Sequence, residues 1–222
     1  MKIKAILLLL LIPMLVHAQW RVGITGGPDY NGFSRDTHGR TFNYKGTYGW
    51  SAGVMGQYDI MDWLGVRAEL NWTQKNNKAQ NAIANLSGVV KEYFKHKEIN
   101  SYIQLPLMAA LDYEYKQWRG LLNLGGYGAW WMARDNDFDV TLQNVSVTPL
   151  TEPEFVKERD QRCDFGFVGG IGIERRINQH FSCQVEARCY YSTTSTQKDY
   201  MRIKDPRYNT TYTLQLAVCY IF

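Results

Sequence analysis

The last twelve residues, TYTLQLAVCYIF, constrain this chain more than any other stretch. Tyr212, Leu214, Leu216, Val218, Tyr220 and Phe222 share one face of an extended strand, and Thr211, Thr213, Gln215, Ala217 and Cys219 share the other. Chain termini are usually frayed and polar. A terminal strand that is apolar along a whole face and ends on an aromatic needs an apolar medium to look at. The closing strand of a transmembrane β-barrel has one.

The start of the chain agrees with this. Lys2 and Lys4 precede an apolar run from Ile6 to Val16, and Val16-His17-Ala18 offers a cleavage site, so residues 1–18 read as a secretory signal peptide and residues 19–222 as one barrel domain. Beyond the leader no apolar run approaches the ~18 residues that a spanning helix requires, so a membrane crossing must be built from strands. Without Lys2 and Lys4, 23 basic residues stand against 21 acidic ones, a balance that implies no nucleic-acid partner. The cysteines Cys163, Cys183, Cys189 and Cys219 match no metal-binding spacing. Strand parity puts Cys183 and Cys189 on the apolar face, which predicts free, inert, buried thiols there; pairing of Cys163 with another cysteine stays open in a compartment that permits disulfides.

Period-two alternation marks eight strands, at about 20–26, 48–60, 65–75, 99–113, 119–132, 164–174, 181–191 and 211–222. Pro106 removes a ladder donor and predicts a bulge or broken pairing in the fourth. Residues 76–98 lack the alternation and predict a short helix above the barrel, although Gly88 weakens it. The connections run long, short, long, short, long, short, long. An even number of antiparallel strands with that rhythm predicts an all-β, eight-stranded, up-and-down transmembrane barrel with short periplasmic turns and long extracellular loops.

Alternation alone leaves a soluble, lipocalin-like barrel with an apolar ligand pocket as the alternative. Two features favour apolar-out. On the apolar face, Trp50, Trp72, Trp130, Tyr191 and Tyr212 gather toward the long loops, and Tyr58, Tyr113, Phe181, Tyr220 and Phe222 toward the short turns, as two aromatic girdles. The polar face carries Arg67, Glu69, Glu174, Glu186 and Arg188 in mid-strand, where facing lipid would cost roughly 2–4 kcal/mol per charge. That set is read as an ion-paired structural plug rather than a proton relay, because an eight-stranded lumen has room only for side chains.

With these elements in hand, the chain resembles the PorT-like group of small outer-membrane β-barrels of Bacteroidetes, relatives of the OmpA- and OmpX-type barrels. The resemblance rests on the leader, VGITGG, YIQLPLMAAL with Pro106, LNLGGYGAWW, DFGFVGGIGIE and the terminal aromatic strand. It implies contact with outer-membrane lipid, recognition by the barrel-assembly machinery through Tyr220 and Phe222, and a type IX secretion accessory as one role.

Other motifs carry less. Asp135, Asp137 and Asp139 suggest a calcium loop, but Val140 replaces the glycine and Ser146 the glutamate of an EF-hand, so a solvated acidic loop is favoured. His38, His96 and His180 fall in loops and a turn with no serine at a fixed spacing, which argues against a lipid-modifying enzyme. The segment 75–98 is basic and 133–162 acidic, and the two are expected to pack on one another. The reading is a non-enzymatic barrel with a filled lumen and no cofactor, whose long loops bind another envelope or secretion protein.

Overall fold

In the computed structural model the described residues are 19–35, 44–84, 90–140, 155–199 and 206–222. The expected leader, residues 1–18, and His38 and Ser146 lie outside them. The described residues form nine strands: β1 (Gln19–Arg35), β2 (Tyr44–Met61), β3 (Leu64–Gln74), β4 (Asn77–Ala84), β5 (Val90–Tyr115), β6 (Trp118–Val140), β7 (Cys163–Arg176), β8 (Phe181–Ser192) and β9 (Arg207–Ile221). Every pairing is antiparallel, and β1 pairs with both β9 and β2, so the sheet closes on itself. Because β4 continues β3 between the same neighbours, β2 and β5, the ring has eight positions. Among the described residues closure leaves no free sheet edge below the level of Asn31 and Trp130, the condition for strands in lipid. Among the described residues no helix is long and apolar enough to cross a membrane.

The helix expected within 76–98 is not found among the described residues. Residues 77–84 and 90–98 pair instead as an antiparallel extension of β3 and β5, and the β3–β5 register runs unchanged through the Lys75-Asn76 break. The partner strand supplies what the local pattern lacks. In the same way β6 runs on to Val140, so Asp135, Asp137 and Asp139 lie in a strand rather than a loop, opposite Ile99, Lys97 and Lys95. The basic and acidic segments are therefore neighbours in one ladder.

Pro106 stays in strand. The β3–β5 ladder stops after Ala68 opposite Leu107 and resumes at Asn71 opposite Gln104, so pairing lapses beside the proline without a change of register. The register shift in β5–β6 comes higher, where Ser101 opposes Ala133 and Tyr102 opposes Trp131, making Met132 the bulged residue. The short connections are Asp62-Trp63, Lys116-Gln117 and 177–180. Lys116 takes a φ of 57°, the left-handed conformation that a two-residue hairpin turn demands.

Burial alternates with a period of two, but with polar residues inside, as in GVRAELNWTQ of β3 and FSCQVEARCYYS of β8. The outer wall shows Ile24, Val54, Leu105, Leu107, Leu124, Ile171 and Leu216, all exposed. The four cysteines are free, but the expectation of buried thiols fails for the outer pair. Cys183 is exposed and Cys189 half-buried on the outer wall, whereas Cys219 is buried in the lumen with Sγ 3.5 Å from Met55 Sδ.

Candidate functional site

The lumen is where this chain concentrates its polar chemistry. The alternation that turns Leu70 and Val185 outward turns Arg67, Glu69, Glu186 and Arg188 inward, and each of these four is at most 3% exposed. Glu69 is their hub. Arg188 donates to Glu69 from Nη1 and Nη2 at 2.7 and 2.8 Å, Arg67 Nε donates to it at 2.6 Å, and Asn71 and Gln215 add amide donors. Arg188 also grips Glu186 through Nε and Nη2 at 2.7 and 2.8 Å, and Arg67 approaches Glu186 to 3.5 Å. Planar guanidinium forks against carboxylates hold both partners in one geometry.

Glu174 belongs to a second cluster nearer the short turns. Arg21 Nη1 donates to Glu174 at 3.0 Å and its Nη2 to Asp59. Gln57 bridges Asp59 and Asp112 at 2.7 and 3.1 Å, and Arg119 donates to Asp112 at 3.0 Å. Gln184 links the two clusters, accepting from Arg67 at 2.9 Å and donating to Glu174 at 3.0 Å. Toward the long loops, Lys75 donates to Asp164 at 2.7 Å while its ammonium sits 4.9 and 4.8 Å from the Tyr102 and Tyr127 rings. Ser192 and Asn209 also donate to Asp164, and Asp29 accepts from Ser51, Thr73 and Thr213. Hydrogen-bonded polar and charged side chains thus meet at successive levels along the lumen.

Above Lys75 the mouth is covered. Trp131 stacks on Tyr102 at 5.7 Å, and Phe155 packs edge-on against Trp131 at 5.2 Å. The turn carrying Phe155 is fixed by Asp160, which accepts from Val156 N at 2.9 Å and from Arg159 Nε at 2.9 Å and lies 3.6 Å from Arg134. Gln161 N and Lys198 N donate to Thr196 and Arg159 carbonyls, tying this turn to the 193–198 segment. Burial raises the Asp160 carboxyl, but these hydrogen bonds and the two arginines outweigh it and hold its pKa below the ordinary aspartate value.

The structure thus brings Arg67, Glu69, Glu186 and Arg188 together and places Glu174 one cluster away. Arg21, Lys75, Asp59, Asp112, Asp164 and Arg119 join them without having been singled out. Arg21 was legible, since it lies on the polar face of the first strand. Asp164 was equally so, at the head of β7. Trp50, Trp72, Trp130, Tyr191 and Tyr212 are exposed on the outer wall at one end, and Tyr113, Phe181 and Phe222 at the other, with Tyr58 and Tyr220 half-buried among them. Trp20 lies 4.9 Å from Tyr58, and Tyr220 packs edge-on against Phe181 and Phe222. Among the described residues no group of three or more histidine, cysteine or acidic side chains is placed to hold a metal. His180 is exposed, with its ring stacked 5.6 Å from Tyr220.

A family model described as "Outer membrane protein beta-barrel domain" matches residues 5–222. Curated protein sequences include no match to this chain. Among solved structures, the chain is similar to Neisserial surface protein A at 13% identity and a TM-score of 0.45, covering 90% of this chain and 96% of that one. OprG from Pseudomonas aeruginosa gives 12%, 0.47, 92% and 95%, and Ail of Yersinia pestis 10%, 0.39, 91% and 99%. The family assignment rests on the family model.

Proposed function

The chain belongs to the outer-membrane protein β-barrel domain family and resides in the bacterial outer membrane, and from that premise we propose that it is a non-enzymatic, membrane-anchored interaction or assembly protein. The observation that carries this reading is the filled lumen. Arg67, Glu69, Glu186 and Arg188 occupy the middle of the barrel with side chains that solvent scarcely reaches, which supports a plugged lumen rather than a conducting pore. What remains available to partners is the outer wall and the end carrying the long connections.

In this reading the aromatic residues at the two ends of the wall anchor the barrel at the lipid interfaces. Tyr220 and Phe222 present the terminal strand to the barrel-assembly machinery. The partner is another envelope or secretion protein, and service as a type IX secretion accessory, as in the PorT-like group, is the specific form proposed.

Two experiments test it. Reconstituted in a planar bilayer, the protein should give no stepwise conductance; stable porin-like steps would refute the plug. Deleting residues 141–154, which spares the paired residues of β6 and the turn that bears Asp160, should abolish capture of an envelope partner by cross-linking in cells while the barrel still inserts. Unchanged capture would count against that segment as the binding element.

A further inference from the structure

From one aromatic end to the other, the outward-facing positions of the wall carry one charged side chain among the described residues, Arg175 at the foot of β7. Arg175 is exposed and lies directly opposite Trp118 on β6 and Cys183 on β8, so neither ladder neighbour is an acid. Its guanidinium carbon stands 5.3 Å from the Trp118 ring centroid. Trp118 is in turn directly opposite Tyr115 on β5, and Lys116, in the turn between them, holds its ammonium 5.2 Å from the Tyr115 ring centroid. Two cation–aromatic pairs therefore stand side by side at the short-turn end. The acid beside them, Glu114, is opposite Arg119 and lies 3.6 Å from it and 3.4 Å from Arg176. Among the described residues Arg175 and Lys116 form no ion pair with a carboxylate.

Space for a hydrocarbon chain lies on the same strands. Gly120 is two residues further along β6 than Trp118 and shares its outward face, directly opposite Tyr113 on β5 and Ile173 on β7. A Cβ there would meet only the Tyr113 carbonyl oxygen, at 3.8 Å, so the wall is indented between the exposed Tyr113 and Ile173, with Leu122 beyond. The cations thus stand on the interface side of the hollow and its apolar rim on the bilayer side. An arginine facing hydrocarbon is costly, and the cost falls toward the interface, where a phosphate can meet it. Two cations against one phosphate favour a headgroup without an ammonium of its own.

We propose that this face binds one anionic glycerophospholipid in the leaflet at the short-turn end, its phosphate between Arg175 and Lys116 and the leading carbons of one acyl chain over Gly120. The inference rests on the outer-membrane placement of the barrel and on the short-turn aromatics marking the lipid interface. Trp118 and Tyr115 hold the two cations against the wall, where the phosphate neutralises them. The hollow at Gly120 gives the chain more contact than a flat wall would.

The test is native mass spectrometry of the full-length protein in detergent, offered an equimolar mixture of phosphatidylglycerol and phosphatidylethanolamine with the same acyl chains. The wild type should retain one phosphatidylglycerol in at least about tenfold preference, the effect of two cations on one anionic headgroup. The R175Q/K116Q variant should lose that preference, and Gly120→Leu, which fills the hollow with both cations intact, should retain about threefold less phosphatidylglycerol. Arg162→Gln, which removes the guanidinium stacked 4.8 Å from Trp130 at the other end of the wall, should keep the preference. Equal retention of the two lipids by the wild type, an undiminished preference in the double variant, unchanged retention by Gly120→Leu, or as large a loss in Arg162→Gln as in the double variant would overturn the proposal. A heat-modifiable gel band from each variant separates that failure from failure of the barrel itself, which would show as no band shift even in the wild type.

Discussion

Arg188 and Glu69 meet across the full width of the lumen, joined by two hydrogen bonds of 2.7 and 2.8 Å although β8 and β3 stand diametrically opposite in the ring. The pair works as a strut. It holds two walls at a fixed separation, and both groups are fully desolvated, so each depends on the other for compensation.

Removing one end of the strut should therefore cost more than removing both. Glu69→Ala leaves Arg188 and Arg67 short of their shared carboxylate in a buried site, and a loss of about 3–5 kcal/mol is expected. The double change Glu69→Met and Arg188→Met leaves Arg67 its Glu186 partner and should recover most of that loss. Urea unfolding of the folded barrel, followed by tryptophan emission, measures both.

The direction of the wall can be tested at Ile171, 68% exposed near the middle of β7. A charge there faces lipid, so Ile171→Arg should cost about 2–4 kcal/mol in a bilayer. On a water-facing surface the same substitution would change stability by no more than about 0.5 kcal/mol. Equilibrium folding into vesicles distinguishes the two.

Neighbouring glycines on β7 should respond oppositely to one methyl group. A Cβ at Gly170 would lie 2.1 Å from Glu186 Oε1 and 2.8 Å from Arg188 Cγ, forcing the central plug apart, whereas at Gly169 it would meet only Leu124 Cδ2, at 3.4 Å. Gly170→Ala should destabilise by about 1–3 kcal/mol. Gly169→Ala should be near neutral in the same unfolding assay.

The covering turn should be acid-sensitive. Asp160 has its pKa lowered in the folded state, so its contribution is present above the unfolded aspartate value, near pH 4, and is lost as pH falls through the lower folded value. Hydrogen exchange of residues 155–162 should accelerate below about pH 4 while the barrel strands stay protected. Asp160→Asn should show fast exchange at neutral pH and little further change on acidification.

The wall was legible wherever one strand's own alternation carried the signal. Met55, Gln57, Glu69, Gln104, Gln184 and Gln215 all turn inward as their parity indicates. What escaped notice depends on partners distant in the chain. Gly27 and Pro28 lie past the expected end of the first strand, yet β1 continues through them, paired with β2 to Asn31 and with β9 to Arg35, and so delivers Asp29 and Asn31 to the lumen. Residues 77–84 carry no apolar stripe because they rise beyond the girdle level, where neither face needs one. The cap is tertiary throughout: nothing around Asp160 announces that it will organise Val156, Arg159 and Arg134 over the mouth.

The central claim is that the apolar face looks at lipid and the charged face fills a closed ring. Refolding residues 19–222 into detergent micelles and comparing gel mobility with and without boiling tests it most directly. A heat-modifiable band with a β-rich circular dichroism spectrum is the predicted result. A protein that folds in plain buffer and shows no shift on boiling would contradict the account, because the exposed Ile24, Leu105, Phe167 and Leu216 would then have to be facing water.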